Sequence, residues 1–178
     1  GFARRGVMSF DELADNAEAE IETRHIRFGD AAAVLWTSGT TGKPKGVIQS
    51  HNVWIRAALN NDRLYGTRPG DVAYNCLPLY NSAAWVANIY RALSTGIPCA
   101  LDEQFSVSKF WGRIRHYGAT QTMTLGAMHM FLWNEPRRTD DADNPLRVAS
   151  MVPMPQKLIA PFCERFGLEA IVQGLGQS

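Results

Sequence analysis

The 178-residue sequence predicts an α/β fold in which a mainly parallel sheet is flanked by helices. Two observations carry this. Apolar runs of strand length recur along the chain, and amphipathic segments of helix length lie between them. That alternation implies βαβ crossovers, with ligands expected at the carboxyl ends of the strands.

Residues 1–30 carry mixed charges and read as a lead-in segment. Phe10, Leu13, Ala14 and Ala17 have the spacing of a short amphipathic helix there. Residues 31–178 read as a partial α/β domain. Ala31 to Trp36 is an apolar run without polar alternation, expected to be a strand buried on both faces. His51 to Tyr65 is a helix, with Ser50 as N-cap and Gly66 as its stop. Val72 to Leu77 is the next strand, ended by Pro78. Ala83 to Ser94 is helical and stops at Gly96, and Ile97 to Leu101 is a third strand. Ser106 caps a helix whose Val107, Phe110, Trp111 and Ile114 fall on one face, and Gly118 ends it. Thr120 to Leu125 is a β-branched strand. A short helix around Ala127 to Trp133 and a polar loop over Glu135 to Asn144 follow it. Arg147 to Met151 and Glu169 to Val172 are two further strands. The helix between them, Pro155 to Phe166, is expected to kink or restart at Pro161.

Composition removes several function classes. Eighteen basic against seventeen acidic residues leave a formal charge of +1, without the basic excess of a nucleic-acid binder. Cys76, Cys99 and Cys163 are odd in number and form no C-x-x-C pair, so neither a zinc ribbon nor a disulfide framework is indicated. A reducing cytoplasm suits that pattern. No apolar run has the roughly 18 residues of a membrane helix, and no apolar stretch follows Arg4-Arg5 as a secretory signal requires. His25, His116 and His129 have no metal-ligand spacing, and no G-x-S-x-G elbow is present.

One segment carries chemistry. Directly after the first strand comes Thr37-Ser38-Gly39-Thr40-Thr41-Gly42-Lys43-Pro44-Lys45-Gly46, with three glycines, four hydroxyls and two lysines. Glycines let backbone N–H groups approach an anion, hydroxyls add donors or a Mg²⁺ ligand, and lysines compensate charge. This is the chemistry of a polyphosphate cradle; the plainer alternative is a flexible Gly/Ser/Thr turn. It is not a Walker A loop: only Thr40 and Thr41 separate Gly39 from Gly42-Lys43, and Pro44 follows.

Thr37 to Val47, TSGTTGKPKGV, resembles the signature loop of the adenylate-forming superfamily, which includes acyl-CoA synthetases, luciferases and peptide-synthetase adenylation domains. Other segments agree in order. His51 stands where these enzymes commonly have a His, although as the first residue of a helix it also has a purely structural role open to it. Leu77-Pro78-Leu79-Tyr80-Asn81 resembles the "LPLFH" segment that shapes an acyl pocket. Cys163 to Gly167 resembles the helix end before the adenine-binding strand. Gly174, Leu175, Gly176, Gln177 and Ser178 resemble the start of the "YGxTE" adenine motif. Phe105 to Trp111, Asn144 to Arg147 and Phe162 to Gly167 are similar to the carnitine-CoA ligase branch.

The resemblance implies part of the large amino-terminal domain of an AMP-forming acyl-CoA synthetase. ATP and Mg²⁺ would be used with a small-molecule carboxylic acid, and coenzyme A would accept the acyl group. It assigns Thr37, Ser38, Gly39, Thr40, Thr41, Gly42, Lys43 and Lys45 to the phosphates, with Thr41 and Lys45 catalytic and Thr41 also at the metal. Gly174 to Ser178 would meet adenine, and Tyr80, Asn81 and Ser82 would line the substrate pocket. The family's remaining amino- and carboxy-terminal parts are absent from these 178 residues, so by themselves they are expected to be inactive.

Three positions depart from the family pattern. Asn81 replaces a His, or the Asp that pairs with a substrate ammonium in amino-acid adenylation domains. It offers no charge and could instead cap the following helix. Ser150-Met151-Val152-Pro153 stands in place of a "GGAP" segment that usually borders the nucleotide, and the bulk of Met151 leaves the shape of the adenine pocket open. Leu175 replaces a Tyr that lies against adenine. These departures motivate a second reading, a non-catalytic nucleotide- or acyl-binding module with a degenerate adenine pocket.

Overall fold

The computed structural model describes residues 25–37 and 42–174. The short helix expected around Phe10–Ala17 lies outside them.

Five short strands form the predicted parallel sheet. They are β3 (Ala73–Asn75), β4 (Cys99–Leu101), β5 (Gln121–Leu125), β6 (Val148–Val152) and β7 (Ala170–Val172), in spatial order β4-β3-β5-β6-β7. Every neighbouring pair is parallel, so each connection is a crossover that carries a helix over a face of the sheet. The helices are α1 (His51–Tyr65), α2 (Tyr90–Thr95), α3 (Val107–Tyr117), α4 (Met128–Asn134) and α5 (Gln156–Phe166). A π-helical segment, Ala84–Ile89, leads directly into α2.

The first apolar run corrects the sequence expectation. β1 (Ala31–Thr37) does not enter the parallel sheet and is not buried on both faces. It pairs antiparallel with β2 (Lys45–Ser50), a strand the sequence did not announce. Val34 pairs with Ile48 and Trp36 with Gly46. Val34, Trp36 and Ile48 are 52%, 73% and 70% exposed, whereas Leu35, pointing the other way, is half-buried. Gly46 lets the strands pack closely: a Cβ there would lie 3.0 Å from Val34 Cγ1, tight enough that the Val34 side chain would have to shift.

The core lies on one face of the parallel sheet. Tyr74, Ala149 and Met151 pack there with Phe110 and Ile114 of α3, Leu132 of α4, and Phe162 and Phe166 of α5. Helix α5 is one continuous helix through Pro161 and does not restart there. Pro161, the sixth residue of the helix, removes a single N–H, and two fully buried phenylalanines one turn apart hold the element against the sheet.

On the other face lie α1, α2 and the π-helical segment. Trp54 of α1 meets Trp85 at 6.0 Å and Tyr90 at 5.1 Å between ring centroids, and this aromatic cluster fastens the two elements together. The Tyr65 hydroxyl donates to the Thr122 carbonyl at 2.9 Å and ties the end of α1 to β5. At the amino ends of the strands Asp71 is buried in a polar network. It accepts from the Arg68 backbone N–H, Thr120, Gln121 and Arg147 at 2.6–2.8 Å.

Candidate functional site

The glycine- and lysine-rich segment connects β1 to β2. Its stem is closed by the pairing of Thr37, the last residue of β1, with Lys45, the first of β2. The Thr37 hydroxyl also donates to the Lys45 carbonyl at 3.4 Å. Ser38, Gly39, Thr40 and Thr41 lie outside the described residues. Gly42 has φ +82°, a left-handed conformation that a side chain would strain, and Lys43 and Lys45 are exposed beside it. No acidic residue occurs from Thr37 to Ser50. The amino-acid sequence of this β1–β2 connection, with hydroxyls, glycines, two lysines and no carboxylate, has the chemistry to hold a magnesium-bound polyphosphate.

The start of α1 is not part of that cradle. The carbonyls of Asp30 and Phe28 accept from the N–H groups of His51 and Asn52 at 3.1 and 2.9 Å. Ser50 Oγ caps the Val53 N–H at 3.4 Å, as the sequence predicts. Those N–H groups are therefore satisfied by protein acceptors.

A cleft of about 510 Å³ opens between α1, the π-helical segment and the carboxyl ends of β5 and β6. The hairpin closes one end of it through Leu35 and Gln49. Helix α1 contributes Val53, Trp54, Ala57 and Leu64, together with Asn60 and Asn61. Met123, Leu125, Ser150 and Val152 form the sheet wall, and Gly174 lies at the rim. Among the described residues, no side chain lining the cleft is charged.

A strap over residues 77–82 forms another wall. Asn75 Nδ2 donates to the Leu77 carbonyl at 2.9 Å, and the Trp85 indole N–H donates to the Leu79 carbonyl at 2.7 Å. Buried Asn88 holds Asn75 in turn, through a 3.0 Å bond to its Oδ1. Asn81 and Ser82 line the cleft, whereas Tyr80 is 89% exposed and does not. Asn81 Oδ1 accepts from the Ala83 N–H at 2.9 Å, so it does fasten the start of the following helix. That bond commits its oxygen and leaves the amide N–H groups for the cleft.

Met151 does not fill this site. Successive residues of β6 face opposite sides, and Met151 is fully buried in the core with Ala149, while Ser150 and Val152 face the cleft. The bulk of Met151 is thereby kept out of the cleft. Residues 175–178 lie outside the described residues. Gln49, Asn60 and Asn61 were not anticipated. The signal for Asn61 was present, since it continues the Val53, Ala57 stripe at helical spacing.

His129 is a structural residue. It is fully buried, with Nε2 2.8 Å from the Pro153 carbonyl and Nδ1 3.1 Å from Thr124 Oγ1. A carbonyl only accepts, so Nε2 carries the proton and Nδ1 accepts from Thr124. Burial holds its pKa below the ordinary histidine value, although the Pro153 bond opposes this. Among the described residues no cluster of His, Cys, Asp and Glu could hold a metal ion, and no helix is long and apolar enough to cross a membrane.

The chain is similar to known proteins in sequence and in fold. Over 177 residues the chain is 32% identical to bovine long-chain fatty acid transport protein 1, covering 96% of this chain and 27% of that protein. It is 30% identical over 149 residues to the medium/long-chain-fatty-acid–CoA ligase FadD6 of Mycobacterium tuberculosis, covering 83% of this chain and 25% of that ligase. The chain thus spans about a quarter of the length of the curated relatives it matches. Its fold is similar to O-succinylbenzoate coenzyme A synthetase (MenE) from Bacillus subtilis, solved in complex with ATP and magnesium ion. That match has a TM-score of 0.76 and 27% identity, over 93% of this chain and 34% of that one. The model of the AMP-binding enzyme family matches residues 4–178. With its hydroxyl- and lysine-rich hairpin beside an uncharged cleft, the chain belongs to the AMP-binding enzyme family.

Proposed function

We propose that the complete polypeptide containing these residues activates a carboxylic acid with ATP and passes the acyl group to coenzyme A. A carboxylate oxygen attacks the α-phosphorus, the bond to the β-phosphate oxygen breaks, and pyrophosphate leaves. The thiol of coenzyme A then attacks the acyl carbonyl and AMP departs with the bonding electron pair. One observation carries this: the phosphate-type loop and the uncharged cleft share a single hairpin, because Leu35 and Gln49 of its stem line the cleft. The nucleotide's phosphates and the acid are thereby brought to one place.

Catalysis here is mostly positioning and charge stabilisation on the departing pyrophosphate. Lys43 and Lys45 supply positive charge, and the loop peptides and Thr37, Ser38, Thr40 and Thr41 supply donors. Thr41 is the proposed magnesium ligand; the ion, when bound, neutralises phosphate oxygens. Gly174 to Ser178 are proposed at the adenine. Met151, one motive for the non-catalytic reading, faces the core. Three unpaired cysteines support a cytoplasmic setting.

The acid is one without an α-ammonium group. Asn81 turns N–H donors to the cleft, which among the described residues offers no carboxylate to neutralise an ammonium. ATP–pyrophosphate exchange by the complete polypeptide tests this, with straight-chain fatty acids set against α-amino acids. Exchange with the former is expected; exchange with amino acids alone would overturn the substrate assignment.

A further inference from the structure

We propose that the cleft selects an uncharged acyl group that carries a hydroxyl or ketone in its distal half, and that Asn61 is the residue that reads it. This rests on the carboxylate-activating function proposed above. Most of the cleft wall is apolar, yet α1 places the carboxamides of Asn60 and Asn61 along it, Asn60 exposed and Asn61 half-buried. Asn61 Nδ2 donates to the Ala57 carbonyl at 2.8 Å, which fixes the amide's orientation and uses one of its N–H groups. Its Oδ1 accepts no hydrogen bond from any described residue. That oxygen suits a ligand hydroxyl, and the second N–H suits a ketone.

Asn61 lies eight residues beyond Val53 on the same helix, about 12 Å along its axis. The group it reads is therefore remote from the reacting carboxylate at the hairpin end. A purely aliphatic chain packed there would strip water from the carboxamide and return no hydrogen bond, a loss of roughly ten- to a hundredfold in discrimination. A distal carboxylate or ammonium would be buried without a counter-charge, because the described lining has none.

The test compares kcat/KM for pyrophosphate release by the complete polypeptide. The acids are matched in length: unsubstituted, distal-hydroxy, distal-keto, ω-carboxy and ω-amino. The hydroxy and keto acids are expected to exceed the unsubstituted acid by about tenfold or more, with the two charged acids turned over least. Asn61→Leu should erase that ratio, and its folding is checked by its melting temperature. Asn61→Asp should bring turnover of the ω-amino acid, a gain that misfolding cannot mimic. A flat ratio in the unsubstituted protein, or one that survives Asn61→Leu, overturns the inference while carboxylate activation stands. Absence of exchange with every acid removes the proposed function, and this inference with it.

Discussion

Replacing Lys45 by alanine separates phosphate chemistry from folding. Lys45 is exposed at the first position of β2, and its structural work is done by its backbone, which pairs with Thr37 across the hairpin stem. Exposed substitutions away from caps and networks usually change stability by less than about 0.5 kcal/mol. For a chain of this size that is a melting shift of about 2 °C or less. Loss of a charge-stabilising contact to the transition state costs far more, about 3 kcal/mol, or roughly a hundredfold in rate. The assay pairs ATP–pyrophosphate exchange by the complete polypeptide with its thermal unfolding curve. The expected result is a drop of about a hundredfold in kcat/KM with a nearly unchanged melting temperature. Activity within a factor of about three of the unsubstituted protein would refute a phosphate role for this lysine. So would a rate loss that follows the loss of folded protein.

Two further predictions concern the frame that holds the site. Arg165 and Asp141 form an ion pair at 2.7 Å with side chains only 5% and 9% exposed, and Arg165 also donates to the carbonyls of Trp133, Glu135 and Pro136. Arg165→Met should cost about 3–5 kcal/mol by leaving that carboxylate buried and unpaired; denaturant unfolding showing a loss below about 1 kcal/mol would contradict this. Asp71 supplies the acid limit. Burial alone would raise its pKa, but hydrogen bonds from Arg147, the Arg68 backbone and Thr120 outweigh it and hold the carboxyl below its ordinary value. Its folded state therefore binds the proton less readily than the unfolded chain. The stability this gives is complete above the ordinary carboxyl pKa of about 4 and is lost as the pH falls below it. Unfolding free energies measured between pH 5 and pH 3 should fall less steeply for Asp71→Asn than for the unsubstituted protein, and parallel curves would count against the network.

Local signals were legible where chemistry and geometry are local. Helix α1 starts after Ser50 and ends before Gly66 because a hydroxyl cap and a glycine stop act on the residues beside them. The parallel sheet followed from strand-length runs separated by crossover helices, and the phosphate-type loop from ten consecutive residues. The pairing of β1 was not legible. An apolar run looks the same in a buried parallel strand and in an exposed hairpin, and only the partner, Lys45–Ser50, decides between them.

The amino-acid sequence by itself thus determined the fold class, the helix limits and the family signature at Thr37–Val47, all of which rest on neighbouring residues. The tertiary structure alone decided which side of each strand faces the cleft. It turned Met151 into the core and Ser150 toward the cleft, and it spent the Asn81 oxygen on Ala83. It also brought Asn61 opposite a sheet wall more than sixty residues away in the chain. Periodicity reveals that faces alternate, but a face becomes a core or a cleft only through what packs against it.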